Sequence, residues 1–162
     1  METEQKINNN KNGMVHFVLV HSYLIFLLAV ILGVFLDTTI NKEIFSNDVY
    51  QIVGFGMLII SSIIIYWAQK TSSNYTQKDI KGDSRSQFEF GPYRYHRSPT
   101  HFGLFIMTLG FSLIINSFFG VVLTFIAYLV TKFVFLKKEE KLLETKYGQV
   151  YAAYKKKVKN WI

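Results

Sequence analysis

Four apolar runs, interrupted by polar breaks of very unequal length, set the pattern of the chain. Val15 to Leu36 and Val49 to Gln69 contain no Asp, Glu, Lys or Arg. Wound as helices, each is long enough to cross a hydrocarbon core of ~30 Å. Pro99 to Asn116 is equally free of those residues, and Phe118 to Leu136 carries only Lys132, near enough to one end for its stem to snorkel outward. The pattern predicts an all-α integral membrane protein with four transmembrane helices, over about 15–36, 49–69, 99–116 and 118–136. Little more than Asn116 and Ser117 separates the last two, so they form an antiparallel hairpin. That turn brings the start of the third span and the end of the fourth to one level, making residues near 97 and 140 neighbours.

The flanking segments follow from the same pattern. Residues 1–13, rich in Asn, Lys and Glu, read as a disordered tail, and 14–162 as a single transmembrane domain with a loop over 70–98 and a tail over 137–162. In that tail Tyr147, Tyr151, Tyr154, Val158 and Trp161 recur at steps of four and three. This predicts an amphipathic interfacial helix, broken or bent near Gly148, with the stripe at headgroup depth and Lys155, Lys156, Lys157 and Lys159 reaching phosphates. The first run is too long, and its polar prelude too Asn-rich, for a cleavable signal, and no small-residue cleavage site follows it.

Charge adds an orientation. The net charge of +7 is carried mainly by the 70–98 segment and the C-terminal tail, so the positive-inside rule places that loop and both termini in the cytoplasm. Such an excess facing anionic inner-leaflet lipid accounts for the basic balance without nucleic acid, which is not expected as a partner. The chain has no cysteine, which excludes disulfides, thiolate metal sites and a cysteine nucleophile. The Gly54-Phe55-Gly56 element lies inside the second span and is no dinucleotide fingerprint.

Candidate chemistry concentrates in Gly91–Gly103, GPYRYHRSPTHFG, which holds the chain's only two prolines, two of its three arginines, and His96 and His101. Ser98 suits a helix N-cap and Pro99 the first helical position. Gly103, Met107, Gly110 and Ile114 share one face of the span that follows, as close helix packing requires. Arg94 and Arg97 offer planar forks suited to a carboxylate or phosphate. Glu139 and Glu140, returned to the same level by the hairpin, complete a set able to grip a zwitterion. His96 and His101 have no third ligand of suitable type nearby, so no metal site is expected. His16 and His21, near one end of the first span, read as partly hydrated structural residues.

Residues 91–154 resemble the isoprenylcysteine carboxyl methyltransferase and phospholipid methyltransferase superfamily of membrane enzymes. Its pattern is GPYRYxRHPxYxG, a helical hairpin, EE, and a tail like FGxxYxxY. The matching positions are Gly91, Pro92, Tyr93, Arg94, Tyr95, Arg97, Pro99, Gly103, Glu139, Glu140, Leu143, Tyr147, Gly148, Tyr151 and Tyr154, whereas the first two spans match only in being apolar. Ser98 stands where the pattern has His, and His101 where it has Tyr.

The resemblance implies S-adenosylmethionine as methyl donor, with Gly91, Pro92, Tyr93, Arg97, Ser98, Pro99, His101, Gly103, Glu139 and Glu140 forming its pocket, and Arg97, Glu140 and Arg94 serving the reaction. Either His96 or His101 is expected to supply the polar contact that Ser98 cannot. The implied acceptor is lipophilic and reached from the bilayer at the cytoplasmic face. A carboxylate acceptor, as in isoprenylcysteine O-methylation, is the reading adopted, with a phospholipid amine as the alternative. A sterol-reductase-like enzyme using NADPH and a non-catalytic membrane protein that has lost its site are the rival classes.

Overall fold

The computed structural model describes residues 2–40, 49–79 and 90–158, and every secondary-structure element among them is helical. In chain order these are α1 (Glu2–Ile40), α2 (Val49–Asp79), a single 3-10 turn (Gly91–Arg94), α3 (Pro99–Ile114), α4 (Phe118–Val130), a π-helical turn (Thr131–Leu136), α5 (Lys137–Tyr147) and α6 (Gln149–Lys157). α4, the π turn and α5 follow without a gap, forming one rod from Phe118 to Tyr147. Most of the expected outer loop, residues 41–48, the central part of the 70–98 loop, and Lys159 and Trp161 of the tail lie outside the described residues. So does the side chain of His16.

α3, α4 and the spanning parts of α1 and α2 are apolar nearly all round, and small residues mark the face turned inward. On α1, Ser22, Phe26, Ala29 and Gly33 are buried at helical spacing. On α2 the buried positions are Gly54, Ser61 and Ala68, seven residues apart. Large side chains point away from the bundle, among them Ile52 at 70% and Phe35 at 65% exposure. Such a surface suits hydrocarbon rather than water.

α3 packs chiefly on α2 and α4 chiefly on α1, with α3 also touching α4 and α1. The α2–α3 contact is as close as Gly103 and Gly110 suggest: a Cβ on Gly110 would lie 2.8 Å from the Gly54 carbonyl oxygen, and one on Gly103 would lie 2.6 Å from Ile65 Cγ1. Backbones approach because no side chain intervenes, which is how helices associate where no hydrophobic effect drives them together.

Among the described residues three helices are long and apolar enough to cross a membrane, over Val20–Ile40, Val49–Ser73 and Phe118–Thr145. α3 is the exception to the expected four: its 16 residues rise only ~24 Å at 1.5 Å each. The hairpin itself is as expected. Asn116 takes a left-handed backbone, φ 55°, and Ser117 caps α4 by accepting from the Gly120 amide at 2.9 Å. Its hydroxyl also donates to the Asp37 carboxylate at the far end of α1, which accepts from the Phe119 amide as well, at 3.3 Å.

At the ends of the chain, α1 runs back to Glu2, and residues 2–13 continue its helix. Propagating an existing helix is far easier than nucleating a new one. The aromatic stripe of the C-terminal tail does break at Gly148, as expected, but it packs on protein: Tyr151, Tyr154 and Val158 form a buried cluster with Leu143 and Tyr147 alongside.

Candidate active site

The polar cluster lies where α3 begins, between the 3-10 turn, the first residues of α5 and the cover provided by α6. Gly91 adopts φ 63° and approaches Thr71 of α2, where a Cβ would meet its Oγ1 at 2.6 Å. The Pro92 carbonyl accepts from the amides of Tyr95 and His96, both at 3.1 Å. This tight turn delivers His96 and Arg97 to the cluster. Ser98 takes the N-cap position and Pro99 the first helical one, but the Ser98 side chain makes no capping bond. The Ser98 amide donates instead to His96 Nδ1 at 3.0 Å.

Arg97 Nη1 lies 2.7 Å from Glu140 Oε1, the juxtaposition expected from the hairpin. Lys155 of α6 closes over the same carboxylate, 3.0 Å from Glu140 Oε2, and reaches Glu144 Oε1 at 2.9 Å. These two bonds, Glu144 first, raise the Lys155 pKa. Glu139 turns to the other side, its Oε2 3.7 Å from His101 Nδ1. His101 is 2% exposed, and its Nε2 lies 3.2 Å from Ser22 Oγ on α1. Over this floor the Tyr154 hydroxyl donates to the Tyr93 carbonyl at 2.6 Å, and Tyr151 lies fully buried beside it. Burial raises the pKa of the Tyr151 phenol, and the charges of Glu140 and Glu139 add to the shift. The phenol is therefore protonated at neutral pH.

Several buried polar atoms in this cluster have no hydrogen-bond partner among the described residues: His96 Nε2, Arg97 Nε and Nη1, and Glu139 Oε2. The ion-pair contact of Nη1 with Glu140 is close without lying along an N–H direction. Buried donors and acceptors are almost always paired, since an orphan forfeits its hydration for nothing. Orphans of both signs within one cluster are what a zwitterionic ligand would satisfy.

The structure thus gathers Tyr93, Arg97, Ser98, Pro99, His101, Glu139 and Glu140 around one site. Gly91 and Pro92 shape the approach, and Gly103 faces α2 as a packing residue. Arg94 is exposed and stands apart from the buried atoms. Sequence reasoning missed Ser22, Lys155 and the covering role of Tyr154. Lys155 was assigned to lipid phosphate along with its lysine neighbours, and nothing in KKK marks the one that turns inward. No group of three or more metal-ligating side chains occurs among the described residues.

A model of the phospholipid methyltransferase family matches residues 49–150. The chain belongs to the phospholipid methyltransferase family. Comparison with curated proteins and with solved structures finds no significant match. The family match takes in α2, the 3-10 turn, the hairpin and α5, so the relationship reaches back over a span that in sequence looked merely apolar. Phospholipid methyltransferase family enzymes generally use S-adenosylmethionine, and membership suggests methyl transfer at a membrane. α1 with Ser22, and most of α6 with Tyr151, Tyr154 and Lys155, lie outside the matched stretch.

Proposed function

We propose that the chain transfers a methyl group from S-adenosylmethionine to a lipid-borne amine at the cytoplasmic face of a membrane. The observation that supports this most is the set of orphaned atoms, Arg97 Nε and Nη1 and Glu139 Oε2, buried together at the inner end of an apolar hairpin. The donor set fits an amino-acid zwitterion: a guanidinium edge for a carboxylate, and carboxylates for an ammonium or ribose hydroxyls. Tyr93 and Tyr151 offer ring faces for a purine. S-adenosylmethionine, when bound, supplies an electrophilic methyl on a sulfonium sulfur.

The residues then have to orient two substrates and exclude water. Alignment of this kind is worth ~7 to 11 kcal/mol, and Tyr151 and Tyr154, both buried beside the cluster, are placed to shield it. The sequence favoured a carboxylate acceptor, which needs a free cation. In this reading Arg97 is taken by the carboxylate of the cofactor, Lys155 is engaged by Glu140 and Glu144, and Arg94 is exposed. An ammonium acceptor needs the opposite, a base to take its proton before the nitrogen attacks. Glu139 beside His101 supplies that chemistry, so the ion pairing favours the amine.

The test is incubation of purified chain with methyl-labelled S-adenosylmethionine and either phosphatidylethanolamine vesicles or a prenylcysteine analogue. Label should enter the amine lipid, and Arg97→Ala and Glu140→Ala should each lower the rate about 100-fold, as expected for losing a charged contact of ~3 kcal/mol. Labelling of the prenylcysteine alone would return the reading to the carboxylate. Equal rates in all three proteins would remove Arg97 and Glu140 from the site.

A further inference from the structure

The 3-10 turn and the start of α3 leave one ring nitrogen with nothing to do. His96 Nδ1 accepts the Ser98 amide at 3.0 Å. An imidazole nitrogen that accepts from an N–H carries no proton itself, so in the neutral ring the proton resides on Nε2. That N–H is buried and has no acceptor among the described residues. The ring cannot easily turn to find one. Its Nδ1 bond pins one edge, and its face stacks on Phe102, with centroids 5.5 Å apart and planes at 25°.

The next residue is Arg97, whose Nε and Nη1 are orphaned in the same cluster. Three unsatisfied donor atoms on two adjacent side chains therefore lie close to the N-terminus of α3, a 16-residue helix whose dipole adds positive potential there. The ordinary alternative for the cofactor contact is His101, whose Nε2 is engaged with Ser22 Oγ at 3.2 Å and whose Nδ1 faces the Glu139 carboxylate at 3.7 Å, too far for a hydrogen bond but on the side of a negative charge that repels a ligand carboxylate. Of the two rings, His96 is the one with a buried N–H that has no partner among the described residues.

We infer that His96 Nε2–H is an anion donor that acts with Arg97 to hold the carboxylate of the amino-acid end of the cofactor. The inference rests on the cofactor reading proposed above. It explains how a chain with Ser at position 98 keeps a ring donor in the site: the Ser98 backbone, rather than its side chain, fixes the tautomer of a histidine two residues earlier. Burial lowers the His96 pKa, and the charge of Arg97 adds to this, against the opposing effect of the Ser98 hydrogen bond. At neutral pH the ring is accordingly the neutral, singly donating form.

The test compares binding of S-adenosylmethionine and its decarboxylated analogue, which keeps the ammonium and lacks only the carboxylate, by calorimetry on the full chain in detergent. The native protein should prefer the carboxylated form. His96→Ala should cut that preference about tenfold, the usual worth of one charge-assisted hydrogen bond, with little effect on the analogue. His96→Gln, whose amide nitrogen can take the place of Nε2–H, should restore much of it, and ligand-free melting of all three proteins separates misfolding from lost contact. If His96→Ala weakens both ligands equally, or neither, His96 is a packing residue and the inference fails while the cofactor reading stands. If native protein binds neither ligand, both readings fall.

Discussion

His96 illustrates how a single ring reports its surroundings through pH. Its folded-state pKa lies below the ordinary value of 6.5, so between the two values the unfolded chain takes up a proton that the folded chain resists. Stability is unaffected by this group above about pH 6.5 and falls as pH drops below it. Thermal melting across pH 7.5 to 5 should show that decline in the native protein and a shallower one in His96→Gln. A profile of equal slope in both would assign the acid sensitivity to another group. At this scale the sequence was informative about type and silent about direction. Arg97 and Glu140 could be paired from the hairpin alone, because a turn of two or three residues leaves their helices nowhere else to go. That His101 would meet Ser22, 79 positions earlier, could not, because any of several small polar residues on α1 would have satisfied the same pattern.

The element whose role changed most between sequence and structure is α6. A stripe of tyrosines at helical spacing suits a headgroup layer and a protein surface equally well, since both present an apolar body with polar partners at its edge. What decides is the Tyr93 carbonyl, which gives Tyr154 its acceptor, together with the pairing of Lys155 to Glu140 and Glu144. α6 therefore covers the site, hinged at Gly148 with φ 55° and ψ −128°. A Cβ there would meet no neighbour within 4 Å, so Gly148→Ala acts on the backbone alone. Forcing an L side chain into that conformation costs roughly 1–3 kcal/mol. The variant should bind S-adenosylhomocysteine several-fold more weakly, and the amides of 150–158 should exchange with solvent faster while those of α2 stay protected. Unchanged exchange over α6 would mean that the hinge carries no strain and the cover does not depend on it.

For the molecule as a whole, the apolar runs were sufficient to predict a helical membrane protein, and the hairpin was legible from its short connection. The count of spans was not: α3 begins at Pro99 as the sequence indicated, but it ends at Ile114, and its 16 residues fall short of the ~20 that a crossing needs. Pro92 and Gly91 pull the chain into a tight turn, and α3, which follows from Pro99, is shorter than α2 and than the continuous rod of α4, the π turn and α5. Its first turn is also the floor of the site.

The π-helical turn over Thr131–Leu136 has a consequence for how the chain tolerates changes in length. A π turn winds one more residue than an α turn over the same advance, about 100° of surplus rotation absorbed before Glu139 and Glu140 are reached. Deleting the exposed Phe133 should let the segment relax to a regular α-helix with both carboxylates still in phase with Arg97 and His101. Inserting one alanine at the same place leaves nothing to relax and turns them away. Cofactor binding should survive the deletion and vanish on insertion, and equal loss in both would show that the turn holds no reserve. The protein thus carries a spare residue in the rod that leads from the hairpin to the site, and is tolerant of shortening there in a way that it is not of lengthening.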